Sequence, residues 1–309
     1  MPPAPAADGS RAILWMLASC VFFALMALFV GFAHAADPGL HTAVASLFRA
    51  ATNLVALVIL ARGRWAPLVG DGRPALWARG VLGAASLLTY FGSLAWLDIG
   101  ESAFLNYTSA IWVAVLAPFV LGERTRPEVA VAVLGSLVGI GLLVEPRGGD
   151  GLGRALGLGS GLIAAFAYLS VRRASATNGP LAIVFYFTAI ATVATGAWWA
   201  IGGWPLPQDP RVVAALAGSG LAATAGQLLM TRAYQLGRAA PVAAAGAAGP
   251  LVTTLLGALA LGQLPDAGAA VGMGVLLVTS VALPLASERL VARRAGALAA
   301  APEACPPPA

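Results

Sequence analysis

Four groups of polar residues interrupt otherwise apolar stretches of this chain, and their spacing places each group on one face of a helix. Thr42, Ser46, Arg49 and Asn53 recur at intervals of four, three and four. Ser86, Tyr90 and Ser93, with Thr89 beside them, form a second stripe, and Ser102, Asn106 and Ser109 a third. Thr224, Gln227, Thr231 and Tyr234 form the fourth. Residues three or four apart share a helical face, and polar side chains in an apolar helix turn toward protein or water rather than lipid. Together the stripes describe the wall of a water-filled cavity. The candidate contacts for a solute are Arg49, Asn53, Ser86, Tyr90, Ser93, Asn106, Gln227 and Thr231. Arg49 is the sharpest, because an arginine in mid-helix costs about 2.5–3.5 kcal/mol unless paired or hydrated. It suits recognition of an anionic group, or else a clamp on carbonyl oxygens near the helix end. Asn106 and Gln227 offer donors and acceptors to a zwitterion or a base-like ring, and Tyr90 an aromatic wall with a polar tip. The competing use of such residues is structural: Ser and Thr often bond to a carbonyl one turn back or join helices.

Catalytic chemistry is missing. His34 and His41 are the only histidines, and no HExxH or CxxC spacing occurs. Cys20 and Cys305 make neither a disulfide framework nor a metal site. There is no Walker loop, and Gly148-Gly149-Asp150-Gly151 has no second acid deep in an apolar stretch. Glu101, Glu123 and Glu128 stand at the ends of such stretches, and the other acids lie in loops or tails. A buried carboxylate is the usual ion-coupling group, so facilitation or exchange is as open as ion coupling. Neither an enzyme nor a cofactor or metal is expected. The net charge of +5 comes without a basic block beyond Arg172-Arg173 and Arg293-Arg294, so nucleic acid is not expected as a partner.

The elements that must carry these stripes follow from composition. Of 309 residues, 59% are hydrophobic and 10% charged, with mean hydropathy +0.85. Soluble domains are about 25% charged, so the chain reads as an all-α integral membrane protein. Ten runs are long enough to cross a bilayer: 12–34, 43–61, 80–97, 102–121, 128–144, 155–171, 180–203, 212–231, 241–261 and 267–286. They are continuous rather than alternating, which favours helices over a barrel. All 18 basic residues are arginine. With the N-terminus inside, fourteen fall on the cytoplasmic side, Arg62, Arg64, Arg73 and Arg79 among them between spans two and three. Three, Arg147, Arg154 and Arg211, fall outside. Basic loops stay in the cytoplasm, so both termini are expected there, in a bacterial inner membrane. Residues 1–11 and 287–309 read as cytoplasmic tails. Leu17–Cys20 and Ala33–Ala35 resemble processing sites, but the first apolar run is too long for a signal-peptide core.

Ten spans divide into five and five, and a duplicated unit of five must insert upside down. Residues 80–131 align without gaps on 220–271, matching Gly80 with Gly220, Ala103 with Ala243, Leu116 with Leu256 and Leu121-Gly122 with Leu261-Gly262. Glycine stripes at Gly153, Gly157 and Gly161, at Gly135 and Gly139, and at Gly268 and Gly272 suit close helix packing within the chain, a homodimer being the alternative. Pro250, in mid-span, removes a helical hydrogen bond and is a candidate hinge.

The run Leu105-Asn106-Tyr107-Thr108-Ser109, continuing through Leu121-Gly122-Glu123-Arg124 to Gly135 and Gly139-Ile140-Gly141, resembles the EamA-type drug/metabolite transporter repeat. Ala233-Tyr234 through Pro250 to Leu261-Gly262-Gln263 is similar to a second copy. The resemblance implies ten helices in two inverted repeats, 12–144 and 153–286, around a central cavity with alternating access. Arg49 matches an arginine often found in that family's second span. The family's proline thirteen residues before the Glu is kept by Pro250 relative to Gln263, whereas Ala110 stands at that place in the first half, with Pro118 further along. The expected function is a secondary transporter of a small polar or amphipathic metabolite: an amino acid, amine, nucleoside-like compound or drug. Its partners would be that solute and membrane lipids. The alternative is a lipid-linked-sugar flippase or a non-transporting sensor or scaffold.

Overall fold

The computed structural model describes residues 9–97, 99–123, 125–144, 151–261 and 267–290, which form helices joined by short links, with no strand among them. The first half runs α1 (Gly9–Ala36), α2 (Thr42–Leu60), the short α3 (Ala66–Val69), α4 (Pro74–Ser93), α5 (Ile99–Tyr107), α6 (Ser109–Leu121) and α7 (Pro127–Val144). The second runs α8 (Gly151–Ala174), α9 (Pro180–Gly202), α10 (Pro210–Leu236), α11 (Ala239–Gly246), α12 (Gly249–Leu261) and α13 (Ala267–Leu276). A π-helical turn, Leu277–Ala282, continues α13 toward Leu290. Most of both tails, the 145–150 link and Gln263 lie outside the described residues.

Eight stretches are long and apolar enough to cross a membrane, two of them made of α5 with α6 and of α11 with α12. Pro127–Leu142 is a shorter apolar helix, and α4 has the length, 20 residues, but is interrupted by Arg79. This is a multi-pass helical membrane protein. Large apolar side chains point outward, Phe119 and Leu259 each 83% exposed and Ile201 88%, as lipid-facing residues should be.

Local chemistry sets the helix ends. Proline opens α4, α9 and α10, where its missing N–H costs nothing. Asp209 accepts from the Arg211 N–H at 2.8 Å, and His41 Nδ1 caps α2 by accepting from Ala43 N–H at 3.2 Å. His41 also lies flat on Trp204, ring centroids 3.8 Å apart, and this desolvation holds its imidazole below the usual range, in keeping with a neutral acceptor nitrogen. The α6 helix ends on Gly122 at φ 69°. There Gly122 N–H donates to Pro118 O and Glu123 N–H reaches back to Ala117 O, the closure that a left-handed glycine allows.

Corresponding elements of the two halves stand 140 residues apart: Ser109 and Gly249 both begin a helix, and Leu121 and Leu261 both end one. Packing is exchanged between halves in the same way. The α1 helix lies chiefly on α10, as α8 lies on α4; α2 packs on α10, as α9 packs on α4. The buried core is alanine-rich, with Ala110, Ala114, Ala117, Ala165, Ala233 and Ala240 among its members, and small residues let helices approach closely. The glycine stripe of α8 is used within the chain. A Cβ on Gly157 would sit 2.6 Å from a Leu105 carbon, and one on Gly161 would sit 2.8 Å from Leu105 O. Gly135 and Gly139 likewise admit Thr279 and Leu276 of the last span.

A central cavity between the two halves

Each half contains one broken helix. The first breaks at Thr108, between α5 and α6; the second at Ala247 and Ala248, between α11 and α12. The two breaks are again 140 residues apart. Pro250, in the middle of the span Ala239–Ala260, is the second residue of α12, where the ring is tolerated. It still matters to the break, since without its N–H the carbonyl of Gly246 has no donor four residues on. Cys20 Sγ faces that oxygen at 3.6 Å. Ala110 holds the same place in α6, so the first break needs no proline. There Thr108 folds its hydroxyl back on Leu105 O, and Gly161 of α8 lies against the carbonyls of Leu105 and Asn106.

Both breaks open on a cavity of about 530 Å³ lined by α1, α2, α4–α12 and the links between them. Its volume falls in the range of small-molecule sites. Of the candidate contacts and hinge read from sequence, Arg49, Ser86, Tyr90, Asn106, Gln227 and Pro250 line it, as do Ser109 and Tyr234 of the stripes. Asn53, Ser93 and Thr231 do not. Ser93 is fully buried and its hydroxyl donates to Tyr90 O at 2.7 Å, three residues back. Thr231 is fully buried with no partner for its hydroxyl. Asn53, 3% exposed, lies in a separate cleft of about 10 Å³ with Arg49, Thr188 and Gln227, room for about one water. Other members of the stripes bond to their own helix, as Ser46 does to Thr42 O, Thr89 to Ala85 O and Thr224 to Gly220 O. Ser86 and Asn106 serve two purposes: at the cavity wall, Ser86 Oγ donates to Ser160 O at 2.9 Å and Asn106 Nδ2 to Ser160 Oγ at 2.9 Å.

The largest correction is Arg79. It does not belong to a loop: α4 begins at Pro74, so Arg79 lies more than a turn inside the helix and is 3% exposed. It falls on the face of Gly83, Ser86 and Tyr90, at spacings of four, three and four, and that extended stripe was available in the sequence. Its Nη2 donates to Gln227 Oε1 at 3.0 Å and its guanidinium lies 4.3 Å from the centre of the Phe187 ring. Gly83 makes room for it, since a Cβ there would overlap Arg79 Nη1 and approach Phe187 to 2.6 Å. Without Arg79 the expected split of arginines becomes thirteen against three. Among the described residues Arg49 has no carbonyl partner, and its Nη1 contacts Met26 Sδ at 3.5 Å.

Aromatic lining residues beyond the stripes include Tyr107, Tyr168 and Phe187, with Phe23 and Phe91. Tyr168 stacks on Tyr234 with centroids 5.7 Å apart, and Tyr107 reaches over Gly249 at the second break. Phe187 supplies the face beneath Arg79. With Met16, Met26 and Met230 these make the cavity largely apolar and adaptable.

At one end of the bundle an ionic latch ties helices of the two halves together. Glu123, aimed by the Gly122 turn, accepts from Arg172 Nε at 2.9 Å and from the Ala239 N–H at the start of α11 at 2.7 Å. Arg172 also donates to Tyr234 O and Gln235 O, and Arg173 to Val120 O. The latch thus joins α6, α8, α10 and α11. Arg154, expected in an outer loop, lies in the first turn of α8 and pairs with Glu101 at 3.2 Å.

The bundle and its solute-sized cavity define a multi-pass membrane protein built to enclose a small molecule. The EamA-like transporter family model matches residues 10–145 and 151–283, and the chain belongs to that family, with two EamA repeats. It is 30% identical over 277 residues to the pseudopaline exporter CntI from two strains of Pseudomonas aeruginosa, covering 89% of this chain and 95% of the relative. Human solute carrier family 35 member G1 is 22% identical over 75% of this chain and 67% of its own length. One solved crystal structure superimposes with a TM-score of 0.75, 19% identity, and coverage of 92% and 97% of the two chains; that likeness concerns the fold alone. The family and these relatives are transporters.

Proposed function

We propose that the chain is a secondary transporter that carries a small, partly apolar metabolite through the central cavity by alternating access. The observation that carries this reading is the cavity of about 530 Å³ onto which a broken helix from each half opens. Broken helices at the midplane are the usual setting for solute sites in transporters built from repeats. Ten spans in two inverted repeats, 12–144 and 153–286, fit the 140-residue correspondence and the exchanged packing. Arg49, Tyr90, Asn106 and Gln227 are the proposed solute contacts. The Pseudomonas relatives are exporters, which favours outward movement. The test is a comparison of metabolites inside and outside cells with and without the gene, followed by counterflow of the changed compound in liposomes. A purified, folded protein that exchanges none of those compounds would overturn the reading.

The proposed membrane is the bacterial inner membrane, with both termini cytoplasmic as the arginine bias requires. Reporter fusions at residue 150 should read periplasmic, and those at 175 and 290 cytoplasmic. A cytoplasmic signal at 150 would break the five-plus-five arrangement.

Pro250 is proposed to ease opening at the second break. Pro250→Ala restores a donor for Gly246 O and should slow exchange several-fold while leaving the protein folded, because the first break persists with alanine. Unchanged exchange by a folded Pro250→Ala protein would remove the hinge role.

A further inference from the structure

Two guanidinium groups, Arg49 and Arg79, line the cavity, and no aspartate or glutamate among the described residues lines it. Ion pairs among the described residues lie away from it, as at Arg73 with Asp71, Arg154 with Glu101 and Arg172 with Glu123. Arg79 meets a neutral amide and an aromatic face, and its Nε is buried without a partner. Arg49 meets a thioether. These contacts orient the two cations without neutralising them. The two cations also share neighbours. Ala50, beside Arg49, and Ala84 of α4 pack with Phe187 in one cluster, and Gln227, which holds Arg79, lines the side cleft with Arg49. A charge removed from water is costly unless an opposite charge meets it, and two such charges facing one cavity leave that opposite charge to the solute.

We infer that the solute carries two acidic groups, one for Arg49 and one for Arg79, joined by a partly apolar body that lies against Phe187 and Tyr90. This rests on the central cavity being the solute path and narrows the solute class from amphipathic metabolites to diacids. Arg79 thereby becomes a specificity residue. A monoacid would satisfy one cation and leave the other exposed, whereas an amine would meet repulsion from both.

The field of the cavity can be measured without knowing the solute. Ala103→Cys, at the cavity wall, is placed in a Cys20→Ser, Cys305→Ser background. Its reaction is timed with an anionic sulfonatoethyl and a cationic trimethylammonioethyl methanethiosulfonate, each rate divided by that for a free small thiol. The anionic reagent should be favoured by about tenfold or more, less in Arg49→Gln or Arg79→Gln, and close to equal in the double variant. Arg79→Lys, which keeps the charge, should keep the preference and so separates loss of charge from loss of fold. Glutarate should also slow labelling by a neutral maleimide more than pentanoate at equal concentration, and lose that advantage in either glutamine variant. A parent protein without anionic preference, a preference untouched by Arg79→Gln, or equal effects of the two acids, including none, would overturn the inference. A thiol that no reagent reaches from either side would instead refute the central cavity as the solute path, and the inference with it.

Discussion

Glu123→Ala is expected to open the latched end of the bundle. The side chain accepts from both Arg172 and the first N–H of α11, so its loss removes an ion pair and a charge-assisted hydrogen bond together. The pair is 16% and 22% exposed, which weakens it relative to a buried pair, and Arg172 keeps its bonds to Tyr234 O and Gln235 O. A net cost of about 2 kcal/mol to the closed form follows, or about thirtyfold in the opening equilibrium. Ala243→Cys, which lines the cavity near this end, should react correspondingly faster with an impermeant thiol reagent added from the Arg172 side. Glu123→Gln should fall between, because an amide oxygen still accepts from Ala239 N–H. Accessibility equal to the parent's would mean that the latch does not hold this end closed.

Arg49→Gln should cost transport more than any other single change on α2. If Arg49 meets an acidic group of the solute, the lost charged contact is about 2–3 kcal/mol, equivalent to about 30- to 150-fold in the efficiency of exchange. Arg49→Lys should recover only part, since an ammonium lacks the planar fork. Initial rates of counterflow in liposomes give the comparison, with the defect expected mainly in the concentration dependence. Full activity in Arg49→Gln would assign the arginine to structure.

Much of the fold was legible because a bilayer imposes so few choices: continuous apolar runs of span length must be helices, and the register of 140 read from glycines and leucines is the one along which the helices start and stop. What escaped was what hydropathy does not measure. The start of α4 was placed at residue 80, where the apolar run begins, although Pro74 marks the first turn of a helix; the six-residue error hid Arg79. The break at Thr108 was invisible because Leu105 and Asn106 read as ordinary helix, and the close approach of Gly161 to it lies across an interface that the sequence does not display. Conversely, Pro250 announced a break but not its place at the start of α12. Of the polar stripes, spacing gave the shared face correctly, but a face four residues wide is wider than the cavity. Ser93 and Thr231 lie at its margins and are buried in helix contacts, and Asn53 lies in the side cleft.

Sided labelling at the cavity wall tests alternating access most directly. Asn106→Cys and Gln227→Cys, each in the Cys20→Ser, Cys305→Ser background, are exposed to a small impermeant thiol reagent from one side of the membrane and then, in separate vesicles, from the other. Both thiols are predicted to react from both sides, never through a continuous pore to a reporter dye, and to be protected by the transported compound. If both stay unlabelled from either side while exchange continues, these residues join helices and the solute passes elsewhere.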